Sequence, residues 1–260
     1  MPSQELKITL IQPDIVWEDK QANYRQYEKW LAEDKTKKQI VILPEMFNTG
    51  FSMKPEQFAE TMEGSAVQWM KETAAHYKCI LTGSLMIEEN SRYYNRLIWM
   101  LPNGQHYHYD KRHLFAYAGE DKHYTAGHKR LIVSVNGWKI CLMVCYDLRF
   151  PVWLRNKEEE YDLLIVVANW PERRATAWRS LLTARAIENM CYTIGVNRVG
   201  NDGNNIYHSG DSMVVHPLGE VLWEKKNEPA MHSVVLDKNL LTEARKQFPF
   251  LQDADNFLLL

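Results

Sequence analysis

Cys145 stands where an apolar run, Lys139 to Val144, meets the turn-like stretch Tyr146-Asp147-Leu148-Arg149-Phe150-Pro151. A thiol carried at a strand end is a candidate nucleophile. The strand fixes the sulfur, and a following turn that opens a helix can offer unpaired backbone N–H groups to a developing negative charge. The competing reading is a small buried thiol, the usual fate of a free cysteine. On this segment alone the two readings weigh equally.

Two more strand ends carry complementary groups. In Leu43-Pro44-Glu45 an apolar run stops at proline and delivers a carboxylate to a loop. Taken singly, such an acid is more often a helix cap or a surface charge. Lys111 follows a hairpin strand within Tyr109-Asp110-Lys111-Arg112-His113-Leu114-Phe115, and a lone lysine is weaker evidence still. Thiol attack on an amide needs a nucleophile, a cation for the oxyanion and a group that moves protons. Cys145, Lys111 and Glu45 supply one each, and a nearby ammonium is expected to lower the thiol pKa.

The elements that must position these residues can be read from periodicity. Leu6 to Ile11 reads as a strand, Asn23 to Lys37 as a polar amphipathic helix and Gln39 to Leu43 as a short strand, which makes a βαβ unit. Ser65 to Tyr77 reads as a helix with Ser65 as its N-cap, and Cys79 to Leu85 as a third parallel strand. Asn103-Gly104 and Asn136-Gly137, each between β-rich runs, predict hairpins. Beyond Cys145 come a strand over Leu163 to Ala168, a helix from Arg173 to Asn189 and a strand over Tyr192 to Val196. A hairpin around Pro217-Leu218-Gly219 and a short helix near Leu240 to Gln247 follow. The acidic run Glu158-Glu159-Glu160 reads as a solvated helix end.

A chain of 260 residues with this order predicts one α/β domain over 1–260, with 248–260 as a C-terminal tail. Its formal net charge of -2 gives no footprint for nucleic acid or an anionic membrane, so the expected partner is a small molecule. Met1-Pro2-Ser3-Gln4-Glu5-Leu6-Lys7 lacks a signal-peptide pattern and no long apolar run occurs, so a soluble cytoplasmic protein is expected. Cysteines at 79, 141, 145 and 191 fit neither a disulfide framework nor a zinc site. No metal or cofactor is expected.

The ordered set Leu43-Pro44-Glu45-Met46-Phe47, Asp110-Lys111-Arg112-His113-Leu114-Phe115 and Cys145-Tyr146-Asp147-Leu148-Arg149-Phe150-Pro151 resembles the nitrilase superfamily of carbon–nitrogen hydrolases. The likeness runs from the strand before Gln12-Pro13 through Asn169-Trp170-Pro171, Arg185 to Asn189 and Ser209-Gly210-Asp211-Ser212 to Pro217-Leu218-Gly219. It implies a four-layer αββα sandwich and a Glu45, Lys111, Cys145 triad. It also implies a second glutamate, Glu120, that positions Lys111. The wording of the lysine, cysteine and Asn-Trp-Pro motifs is most similar to omega-amidases, which hydrolyse the side-chain amide of 2-oxo acids such as 2-oxoglutaramate.

In the mechanism this resemblance implies, Cys145 becomes acylated, Lys111 and the Tyr146 N–H form the oxyanion hole, and Glu45 shuttles protons. A substrate carboxylate needs a cation, for which Arg173 is favoured over Arg174; Phe51, Phe115, Tyr117 and Trp170 are candidate pocket walls. A nitrilase would use the same triad on nitriles. A cysteine protease would need a histidine base in a recognisable context, and a metal hydrolase would need a third ligand beside His106 and His108; the sequence shows neither. A non-catalytic scaffold on the same fold is the remaining alternative. A homodimer is the family expectation, with Phe248-Pro249-Phe250-Leu251 and Phe257-Leu258-Leu259-Leu260 apolar enough to meet a partner or to fold back on their own subunit.

Overall fold

The computed structural model describes residues 4–255, 257 and 258. Met1, Pro2 and Ser3 of the N-terminal reading, and Leu259 and Leu260 of the apolar tail, lie outside the described residues. The strands β1 (Glu5–Gln12), β2 (Ile40–Ile42), β3 (Ile80–Glu89), β4 (Arg92–Met100) and β5 (His106–Asp110) lie side by side in that order. The first three run parallel and the last two return as hairpins. A second sheet contains β6 (Leu131–Val135), β7 (Trp138–Val144), β8 (Leu163–Val167), β9 (Tyr192–Val196), β10 (Val199–Asn201), β11 (Tyr207–Val215) and β12 (Val221–Lys226). From there the chain crosses back, and β13 (Ala230–Asp237) closes the edge of the first sheet against β1.

Alternation along the strands builds the layers. Ile40 and Ile42 belong to a core shared with the second sheet, whereas Val41 and Leu43 belong to a core shared with helices. Those helices are α1 (Lys20–Glu33) and α3 (Ser65–Tyr77), with the single turn α2 (Pro55–Phe58) between them. Strand β8 is buried at every position and pairs in parallel with β7 and β9, so it reads as an unbroken Leu-Leu-Ile-Val-Val run. After the one-turn α4 (Pro151–Leu154), α5 (Ala175–Asn189) packs on this second sheet. A Cβ at Gly195 would come within 2.4 Å of Leu182 and 2.6 Å of Trp178, so glycine lets α5 sit close to β9. Helix α6 (Lys238–Gln247) adds Leu241 to the same core. The product is the expected helix–sheet–sheet–helix sandwich. Among the described residues no helix is long and apolar enough to cross a membrane.

Several local readings need correction. Helix α1 starts three residues earlier than the periodicity suggests, because Asp19 accepts the Ala22 N–H, and it ends at Glu33, where Asp34 turns extended. Ser65 does not cap α3: Gly64 holds that position, and Glu60 reaches in to accept from the Ala66 N–H and the Ser65 hydroxyl. The β3–β4 hairpin carries no glycine signal, since its turn is Asn90-Ser91, both with positive φ. The acidic run is a turn, not a helix end: Glu158 and Glu159 have positive φ, Glu159 pairs with Arg245 at 3.3 Å, and Glu160 pairs with Arg130. Cys145 opens a 3-10 turn, Cys145–Arg149, and another such turn, Glu172–Arg174, precedes α5.

Candidate active site

Four strands deliver residues from just beyond their ends to one place. Glu45 follows β2, Lys111 follows β5, Cys145 follows β7 and Asn169 follows β8, so two come from each sheet. Lys111 Nζ donates to Glu45 Oε1 at 2.8 Å and to Glu120 Oε1 and Oε2 at 3.0 and 2.8 Å. All three side chains have 0% exposure. Glu120 also accepts the Phe115 N–H at 2.6 Å, while Asp121 beside it is exposed. Phe51 lies over the ammonium at 5.1 Å. A charge this deep is tolerated because every member is paired and hydrogen-bonded.

Sequence reading passed over the groups that hold this cluster together. Asn95 Nδ2 donates to Glu45 Oε1 at 2.8 Å and to Glu120 Oε1 at 3.1 Å, and its Oδ1 accepts from Ser84 Oγ at 2.7 Å. The available signal was parity: Asn95 shares a β4 face with the core residues Leu97 and Trp99, so it is a polar residue on a buried stripe. Asn169 donates its N–H to Glu45 Oε2 at 2.8 Å. On the nucleophile side, Asp147 accepts from the Val144 N–H, the His113 N–H and ring Nδ1–H, and the Tyr109 hydroxyl. That carboxylate ties the turn after Cys145 to the loop after Lys111.

Cys145 has a φ of 46°, a left-handed conformation that costs a non-glycine residue energy and sets its sulfur apart from the strand direction. The thiol is directed at the Asn169 carbonyl oxygen, 4.0 Å from its sulfur, with the Glu45 carboxylate close by. Burial pushes the thiol pKa well above the ordinary cysteine value; Glu45 adds to this, Lys111 opposes it and Glu120 adds again. The ammonium lowers this pKa as expected, but burial comes first and two carboxylates share the one cation, so the net direction is upward. Burial alone would depress the Lys111 ammonium, but Glu120 and Glu45 outweigh it and hold it above the usual lysine range. Glu120 is raised, by burial first. A thiol whose pKa is pushed up, beside a carboxylate, suits attack in which the proton leaves the sulfur as the bond to carbon forms.

The sulfur opens on a cavity of about 230 Å³. Of the residues expected from sequence, Phe51, Phe115, Tyr117, Trp170 and Arg173 all line it. Tyr117 forms its rim, at 80% exposure, rather than a wall. Arg174, the less favoured of the two candidate cations, also lines it, and Arg149, together with Asp202 and His208 from the β10–β11 region, is a lining residue that the sequence did not single out. Arg149 stacks on Trp170 at 4.9 Å and Arg174 on Phe115 at 5.1 Å, so both guanidinium groups are held in place. Cys79, Cys141 and Cys191 are buried free thiols elsewhere in the core.

Comparison with known proteins agrees with this geometry. The chain is 44% identical over 255 residues to the omega-amidase YafV of Escherichia coli K12, covering 98% of each chain. It is 31% identical over 250 residues to the 2-oxoglutaramate amidase of Bacillus subtilis, covering 95% of this chain and 96% of that one. The crystal structure of XC1258 from Xanthomonas campestris, a CN-hydrolase superfamily protein with an arsenic adduct in its active site, superposes with a TM-score of 0.96. It is 41% identical and covers 98% of this chain and 99% of that one. The carbon-nitrogen hydrolase family profile matches residues 7–246, and the chain belongs to that family, within the nitrilase superfamily.

Proposed function

We propose that the protein is an omega-amidase that hydrolyses the terminal amide of a small carboxylate-bearing 2-oxo acid, as in 2-oxoglutaramate plus water giving 2-oxoglutarate plus ammonia. The observation that carries this reading is a buried thiol beside a fixed carboxylate, facing a cavity whose arginines have no carboxylate partner among the described residues. Cys145 Sγ attacks the amide carbon while Glu45 takes the thiol proton. Lys111 Nζ and the Tyr146 N–H, at the first turn where backbone donors lack helical acceptors, hold the oxyanion. Glu45 then protonates the nitrogen, the C–N bond breaks and ammonia leaves a thioester on Cys145. Water, deprotonated by Glu45, attacks that thioester through a second oxyanion and the acid departs. Glu120 keeps Lys111 in place.

Arg174 is the better match to the substrate carboxylate than Arg173. Its guanidinium is half-buried and pinned on Phe115, and it lines the cavity onto which Cys145 opens, whereas Arg173 is exposed. Support for the substrate class also comes from the two amidase relatives. As a working form we take a soluble cytoplasmic homodimer acting on a free small molecule; Phe250 and Leu258 give the tail an exposed apolar surface, and sedimentation tests the dimer.

The test is ammonia release from 2-oxoglutaramate beside glutamine, asparagine, glutaramate and a matching nitrile. Selective release from 2-oxoglutaramate, with an acyl mass on Cys145 after rapid quench, is expected. Turnover that survives Cys145→Ala would overturn the scheme.

A further inference from the structure

Asn169 leaves one atom unexplained. Its backbone N–H and its side-chain Nδ2 are both spent on Glu45, at 2.8 and 2.6 Å, yet its Oδ1 is buried and has no hydrogen-bond partner. The residue is 7% exposed and lines the cavity. Among the cavity's described lining residues, it alone carries a buried side-chain atom left in this state. The orientation of the amide is fixed, because only Nδ2 can donate to the Glu45 carbonyl. Buried acceptors are rarely left unpaired, and one that persists beside reacting atoms asks for a donor.

The Asn169 backbone carbonyl adds a second acceptor, 4.0 Å from Cys145 Sγ. In the tetrahedral adduct the amide nitrogen is two bonds from the sulfur, next to the carbon that Sγ has just joined. In the proposed scheme Lys111 donates to the oxyanion and the Glu45 carboxylate exchanges the proton. What the nitrogen still requires is acceptors for its own N–H groups.

We propose that Asn169, through its backbone carbonyl and its Oδ1, receives the N–H groups of the scissile primary amide and of the departing ammonia, and so selects amides over esters of the same acid. The step is the acylation already described: the Sγ–C bond forms, the C–N bond breaks, and the thiol proton passes through Glu45 to nitrogen. Asn169 exchanges no proton. It orients the nitrogen lone pair toward Glu45 by fixing the two N–H bonds. An ester has no N–H to give, so it gains nothing from these acceptors.

This inference rests on the amidase reading of Cys145, and the experiment separates the two. The substrates are 2-oxoglutaramate and the 5-methyl ester of 2-oxoglutaric acid, with kcat/KM taken for each because it reports acylation, while deacylation of the shared thioester is common to both. In Asn169→Ala both kcat/KM values are expected to fall, because Glu45 loses its contact with Nδ2, and the ratio of amide to ester kcat/KM is expected to drop roughly 10- to 100-fold. The ester rate reports the loss shared through Glu45, circular dichroism reports folding, and Asn169→Ser provides a milder substitution with the same expected order. Equal losses on amide and ester in both variants would overturn the inference and leave Asn169 as support for Glu45 only. A wild-type protein that cleaves neither substrate would instead overturn the amidase reading itself.

Discussion

Asn169 grips Glu45 at two points, donating its N–H to the carboxylate Oε2 at 2.8 Å and its side-chain Nδ2 to the main-chain carbonyl at 2.6 Å. The two residues lie 124 positions apart and end strands of different sheets. The sheet that carries Cys145 therefore also sets the orientation of the Glu45 carboxylate. With Lys111 and Asn95 on Oε1, the carboxylate has little freedom to rotate away from the thiol. Such fixed geometry is what electrostatic and general-base catalysis requires, since no reorganisation is needed when charge moves.

Lys111 is the only cation paired with Glu45 and Glu120 among the described residues, so its removal should be felt in the fold as well as in the chemistry. Lys111→Met is expected to abolish amidase activity and to destabilise the protein by about 3–5 kcal/mol, the range for breaking a buried ion pair. The pH dependence contributed by Glu120 should grow in the same direction. Glu120, already raised by burial, would rise further without its cation, and a carboxyl whose folded pKa exceeds its unfolded one is stabilising below the unfolded value and loses that contribution as pH rises. Urea midpoints of the variant, relative to wild type, should therefore improve from pH 7 to pH 5. A midpoint difference that does not vary with pH would contradict the linkage.

Because the Cys145 thiol is pushed up by burial and by Glu45, little thiolate should exist in the free enzyme. Modification by methyl methanethiosulfonate, which reacts with thiolate, should keep accelerating beyond about pH 9, where an ordinary thiol with a pKa of about 8.5 approaches its plateau. Glu45→Gln gives opposing effects in one variant. It removes one negative neighbour, so modification at pH 8 should become faster, while amide turnover falls by about 10²–10⁴ for loss of the base. A wild-type modification rate that levels off near pH 7 would mean the thiolate is already formed.

Strand ends made this site readable: Glu45 and Cys145 each follow an apolar run and Lys111 follows a hairpin strand, and that regularity survives in the fold. Asn169 follows an equally apolar run but bears an amide, a side chain with no chemistry of its own, and nothing local showed that it faces Glu45 across the two sheets. The negative balance around the thiol was hidden for a similar reason. It depends on Glu120 turning inward while Asp121 turns out, which one turn of 3-10 helix decides. Strand β13 was illegible because a crossover between sheets leaves no mark on the periodicity of either partner. Arg149 lay inside the cysteine motif and went unexamined; its stacking on Trp170 needs the tertiary structure to be seen.

The three arginines give a graded expectation for substrate affinity. Burial, and then the charge of Arg173, depress the Arg174 pKa, with Arg149 adding to this, which marks a cluster of like charges suited to an anion. Arg174→Met should raise the KM for 2-oxoglutaramate by about 10- to 100-fold, the effect of losing a charge-assisted hydrogen bond, with butyramide turnover little changed. Arg173→Met, at an exposed position, should cost less than about 3-fold. Steady-state kinetics on both substrates decide the order, and a larger loss in the Arg173 variant would reverse the assignment.

His208 links the cavity floor to acid stability. Its Nδ1–H donates to the Ile206 carbonyl at 2.9 Å, and burial, with Arg198 nearby, lowers its pKa to about 4 from an ordinary 6.5. A group whose folded pKa is depressed contributes stability that is complete above its unfolded pKa and disappears as pH falls toward the folded one. Between pH 6.5 and pH 4 the unfolded chain binds a proton that the folded chain refuses, so the protein should lose up to about 3 kcal/mol through this residue. His208→Gln cannot titrate, and its denaturation midpoint should fall less steeply than that of wild type over the same interval. Parallel stability curves for the two proteins from pH 7 to pH 4.5 would show that His208 is protonated in the fold, or that the β10–β11 segment yields to admit water before the rest of the domain unfolds.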